Sequence, residues 1–142
     1  DYAKHPAYPG LLAAVSMSLS YGNYDNKLFD LDGASNALRF VYSMAGVKRV
    51  HAGKFQGNPQ DAVAELKDPA KAPLTLEQAA STIAATIGQQ TSPGKALDEL
   101  VQHKWVAEST LEMIADRDKL TNGDAFMLIR DVVAQYAGVT YQ

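Results

Sequence analysis

The chain predicts an all-α fold: one helical domain over residues 1–142, a bundle of about six or seven helices. Three observations carry this. Apolar residues recur with the helical period rather than in strict alternation. Proline and glycine fall mainly between the periodic runs. One arrangement also recurs three times: an apolar residue, a capping Asp or Thr, an amphipathic run and a glycine. The copies are Leu31-Asp32 to Gly46, Leu74-Thr75 to Gly88 and Leu120-Thr121 to Gly138. They recur about every 45 residues, which predicts an internal threefold repeat.

The elements follow in order. Residues 1–8, with Tyr2, His5, Pro6 and Tyr8, lack a helical period and read as an N-terminal arm. Pro9 stands at a first helical position, where its missing N–H costs nothing, and Leu11, Leu12, Val15 and Leu19 mark the buried stripe that follows. Tyr21-Gly22-Asn23-Tyr24-Asp25-Asn26 is rich in turn residues and ends that helix. The next helix is expected to start at Asp32, with Ala34, Ala37, Leu38, Val41, Met44 and Ala45 inward and Gly46 as its closing left-handed residue. Val47 to Val50 then reads as a short extended piece, and the segment to Gly57 as irregular.

Asn58-Pro59 opens a short helix with its cap and first-turn proline in place. Ala62, Val63 and Leu66 are expected to face inward, before a proline-bearing spacer from Asp68 to Pro73. Thr75 and Gln78 then form the pattern of a capping box, and Leu76, Ala79, Ala80, Ile83, Ala84 and Ile87 the helix face. Ser92-Pro93 opens the third unit, with Ala96, Leu97, Leu100 and Val101 on one short helix and Leu111, Ile114 and Ala115 on another. Trp105 is expected to anchor the core between these helices. Thr121 with Asp124 predicts a second capping box, and Ala125, Leu128, Ile129, Val132, Val133 and Tyr136 the longest apolar stripe.

Composition bounds the function. An apolar fraction of 46% and a charged fraction of 20% mark a chain that buries a core. The net charge of −3 is spread, with Lys48-Arg49 the single basic pair, so there is no electrostatic footprint for nucleic acid. No apolar run approaches the roughly 20 residues of a membrane-spanning helix. The absence of cysteine removes disulfides, thiolate metal sites and cysteine nucleophiles. The chain opens on Asp1 instead of Met; this reads as removal of a secretory signal or as trimming, and a secreted, periplasmic or cell-surface location is the expectation.

Catalytic patterns are weak. His5, His51 and His103 lie in separate segments without a partner at helical metal-pair spacing. Asp25, Asp30 and Asp32 precede Gly33 as in a calcium loop, but aligning the glycine puts Leu28 first and Arg39 twelfth, where oxygen ligands belong. Neither a nucleophile elbow nor a phosphate loop is present. The expectation is therefore a protein that is not an enzyme, without cofactor or metal. Binding is the better prospect: tyrosines and asparagines on loops give contact area at low entropy cost and hydrogen-bonding edges. Tyr21, Asn23, Tyr24 and Asn26 are the candidates, joined by Arg117 and Lys119 in the charged turn Asp116-Arg117-Asp118-Lys119.

Two stretches, Leu120-Thr121-Asn122-Gly123-Asp124-Ala125-Phe126 and Leu74-Thr75-Leu76-Glu77-Gln78-Ala79-Ala80, with Leu31-Asp32-Gly33-Ala34-Ser35-Asn36-Ala37 as a third, resemble the opening of the second helix in the S-layer homology domain. The resemblance covers nearly the whole chain. It implies three helix–loop–helix repeats and anchorage to a pyruvylated cell-wall polymer through the motif's arginine and nearby glycine-rich loops. This chain departs from that pattern: Gly33, Leu76 and Asn122 stand where the arginines would. The function expected is a non-catalytic binding or structural module whose partner is a cell-wall glycan or another protein, met through loops 21–31, 67–74 and 115–120. The alternative is a small helical inhibitor or immunity-type protein that plugs a partner's site.

Overall fold

The structure, a computed structural model, describes residues 4–10, 31–51, 53–89 and 94–137. The expected stripe Leu11 to Leu19, the loop residues Tyr21, Asn23, Tyr24 and Asn26, Ser92-Pro93 and Gly138 lie outside them. The fold is all-α, with six helices and no strand among the described residues. In chain order these are α1 (Ala37–Val50), a 3₁₀ helix (Pro59–Val63), α2 (Leu76–Ile87), α3 (Ala96–Gln102), α4 (Glu108–Ile114) and α5 (Asn122–Ala137).

Helix α1 departs from the expectation at both ends. Its cap is Asn36, whose side chain accepts from the Arg39 N–H, and not Asp32. Residues 31–36 are needed elsewhere: Ala34 bridges Thr121 and Asn36 bridges Pro73, both antiparallel. Asp32, 86% exposed at its side chain, instead accepts from the His5 imidazole at 2.8 Å. Ala34 is consequently exposed rather than inward. Gly46 does not end the helix but is buried within it. Carrying on past Gly46 places Val47 fully in the core on the stripe of Phe40 and Met44, a gain that outweighs the roughly 1 kcal/mol helix penalty of one glycine. Val47 to Val50 is therefore helical, not extended, and His51 caps it.

The segment opened by Asn58-Pro59 is a 3₁₀ helix, with Asn58 accepting from the Gln60 N–H. The turn is too short to bury a long stripe, so Val63 is buried while Leu66 is exposed. Helix α2 keeps its expected ends: Thr75 accepts from the Gln78 N–H, and Gly88 closes it at φ 92°. The Gln78 side chain does not complete the expected capping box: its amide reaches out of the helix to the Ala62 carbonyl at 3.0 Å, tying α2 to the 3₁₀ helix. Gly57 lies against the last turn of α2, its N–H donating to the Thr86 carbonyl. Lys48 of α1 binds the Gly57 carbonyl at 2.6 Å.

Helix α1 packs on α2 and α5, α2 on α3, and α4 on α5. The shared core contains Phe40, Met44, Leu74, Ile83, Leu100, Ile114, Leu120, Leu128 and Ile129, all inaccessible to solvent. Trp105 is half-buried against this core, with its ring 6.3 Å from that of Phe55. The N-terminal arm is docked where it is described: Ala7 is buried, and its N–H donates to His5 Nδ1.

Candidate functional site

The segments that lead into α1, α2 and α5 meet at one point. The Ser35 N–H donates to the Leu120 carbonyl at 3.1 Å, Leu120 to Leu74 at 2.7 Å, and Leu74 to Ser35 at 3.5 Å. The three backbone bonds close a ring. Each ring residue immediately precedes a cap, Asn36, Thr75 or Thr121, that accepts from the N–H three residues on. The helices then enter the core in the same register: Phe40, Ala79 and Ala125 are fully buried, as are Met44, Ile83 and Ile129 a turn later. The loops expected to carry recognition, 21–31, 67–74 and 115–120, precede these segments in the sequence.

Of those loops, two lie among the described residues. The turn before α5 holds Arg117 and Lys119. Arg117 Nη1 donates to both carboxylate oxygens of Asp124, at 2.8 and 2.9 Å. Asp124 is buried, and its Oδ2 also accepts from the Thr121 N–H at 2.9 Å, completing the predicted capping box. Arg117 is thus engaged within the fold, while Lys119 is exposed. Tyr21, Asn23, Tyr24 and Asn26 lie outside the described residues, so the structure does not place them against Arg117 or Lys119.

Beside the start of α2 is a cleft of about 190 Å³ lined by Leu76, Glu77, Ala80, Gly94, Ala96 and Leu97. Among the described residues its lining is mainly apolar, with the Glu77 carboxylate as the charged member. The helix positions directly after the three caps hold Ala37, Leu76 and Asn122, so correcting the first cap from Asp32 to Asn36 replaces Gly33 by Ala37 and brings no arginine there.

The histidines have separate local roles. His5 bridges Ala7 and Asp32, which fixes Nδ1 as acceptor and Nε2 as donor. His51 caps α1 and meets Phe55 edge-on at 6.3 Å. His103 is exposed at the end of α3. Among the described residues no group of three or more His, Asp or Glu side chains is placed to hold a metal ion.

Two features had no sequence signal. Asp131, 5% exposed on α5, accepts from the Ala107 N–H at 3.1 Å. Burial pushes its carboxyl above the usual range, against the Thr110 hydroxyl, the Ala107 N–H and the Arg130 charge, which pull it down. The Thr110 hydroxyl is itself buried and lacks a partner of good hydrogen-bond geometry. Lys104 takes φ 65°, a left-handed residue closing α3 where α2 uses a glycine. Compared with known protein families, with curated proteins and with solved structures, the chain matches none.

Proposed function

We propose that this domain is a non-catalytic binding module of an exported or surface-displayed protein, built on a threefold plan resembling the S-layer homology domain, with a cell-wall glycan as its partner. The supporting observation is the closed ring of Ser35, Leu74 and Leu120, which draws three capped-helix entrances together. The recognition surface is then loops 21–31, 67–74 and 115–120, with Tyr21, Asn23, Tyr24 and Asn26 as the stacking and hydrogen-bonding groups. Arg117 is held by Asp124, so Lys119 supplies that surface with its mobile cation.

The chemistry after the caps narrows the ligand. With Ala37, Leu76 and Asn122 in those places, three cationic subsites are not available, and an apolar cleft beside α2 suits the faces of sugar rings better than a string of acidic groups. A pull-down on isolated bacterial sacculi, before and after wall polymers are stripped, tests the reading. Retention that is lost on stripping is the expected result, and Tyr24→Ala should weaken it. Absence of retention on every wall preparation sinks the proposal and transfers the surface to a protein partner.

A further inference from the structure

A second cleft, of about 470 Å³, lies between the end of α3 and the start of α4. Its size is that of small-molecule sites. Val101, Val106 and Ala107 give it an apolar floor, and Gln102, Lys104 and Glu108 a polar rim. The floor is fixed in place: Val106 is 1% exposed, and Asp131 on α5 holds the Ala107 N–H at 3.1 Å. The rim charges are unspent, since neither Lys104 nor Glu108 forms an ion pair among the described residues.

Lys104 is the odd member. The chain turns out of α3 through bonds from Lys104 N–H to the Val101 carbonyl at 3.1 Å and from Trp105 N–H to the Leu100 carbonyl at 2.8 Å. This closure wants a left-handed residue, and glycine fills it without strain. Gly88 does so at the end of α2. A lysine there strains its backbone, and its exposed side chain forms no ion pair among the described residues. What it adds is a cation to a cleft that is also lined by the Glu108 carboxylate and by the apolar Val101, Val106 and Ala107.

We propose that this cleft binds a small apolar zwitterion, of the size of an amino acid or dipeptide, with Lys104 taking its carboxylate and Glu108 its ammonium. The site shares no lining residue with loops 67–74 and 115–120 and does not depend on the glycan reading.

The test uses the full chain and follows the backbone amides of Val106 and Ala107 by NMR. Leucyl-leucine should give saturable shifts, with dissociation constants of about 1 mM. N-acetyl-leucyl-leucine and leucyl-leucinamide, each lacking one charge, should bind at least about tenfold more weakly. Lys104→Gly should weaken leucyl-leucine by a similar factor while raising the thermal midpoint, a pairing that a merely structural lysine would not produce. Lys104→Gln keeps the backbone unchanged and should also lose binding. Absence of saturable shifts, equal binding of the blocked peptides, or unchanged binding in both Lys104 variants would overturn the proposal.

Discussion

Asp131 shows how one side chain is held between opposing effects. Its Oδ2 is wanted by the Ala107 N–H, yet burial opposes its charge and raises its pKa above the ordinary 3.8. As pH rises from that value, the unfolded chain gives up the proton first and the folded chain keeps it longer. Folding therefore binds protons in this window, and the Asp131 contribution to stability falls as pH rises through it. Asp131→Asn keeps an oxygen for the Ala107 N–H and removes the buried charge. The variant should be more stable than the natural chain at pH 7, with the advantage disappearing below about pH 3.8. Urea denaturation at both pH values measures it, and a pH-independent difference would assign the effect to packing instead. Nothing in the sequence marks Asp131 as buried: Arg130-Asp131 reads as an ordinary charged pair on a helix.

At the scale of elements, helix ends decide most of what was legible. Thr75, Gly88 and the Thr121–Asp124 box were readable because cap chemistry is local: a hydroxyl or carboxylate needs only an N–H three residues away. The first helix was not, because Asp32 and Asn36 are both good caps and the choice between them is made by a distant partner. Strand-like pairing of residues 34 and 36 with 121 and 73 excludes an earlier start. The box on α5 joins capping to an ion pair, since the buried Asp124 serves both Thr121 and Arg117. Asp124→Ala should cost about 2–3 kcal/mol, and Arg117→Ala only about 1 kcal/mol because the guanidinium is partly exposed. Denaturant midpoints of the two variants and their double mutant give the coupling between them. A severer failure is expected at Gly57, where an added methyl would overlap the Ala85 carbonyl oxygen and crowd Gly88, both backbone and unable to yield. Gly57→Ala should destabilise by more than about 3 kcal/mol or prevent folding, read by far-UV circular dichroism and melting.

The whole molecule depends on contacts that no local pattern announces. Sequence periodicity identified Ala79, Ala80, Ile83 and Ala84 of α2 and Ala125, Leu128, Ile129, Val132 and Val133 of α5 as buried, but the ring that joins their entrances to that of α1 consists of backbone groups, which every residue carries. Side chains gave an indirect sign at best: Leu74 and Leu120 are fully buried just before their caps, while the equivalent Ser35 is small and polar and so hid the match. The candidate surface suffers the same way, since Arg117 reads as a solvent-exposed cation until its partner Asp124 is seen to be buried. If the ring acts as one hub, none of its three segments can open without releasing a bond to each of the other two. The Ser35, Leu74 and Leu120 amides should then exchange with solvent only through global unfolding, with one shared free energy equal to that from urea denaturation. Leu74→Ala, expected to cost about 2–4 kcal/mol for the cavity it leaves, should lower all three together. Faster exchange at Ser35 alone, where the closing bond to Leu74 is the longest at 3.5 Å, would mean that the segment entering α1 docks onto a core already formed by those entering α2 and α5. Recognition by a surface drawn from all three segments would then lose its basis.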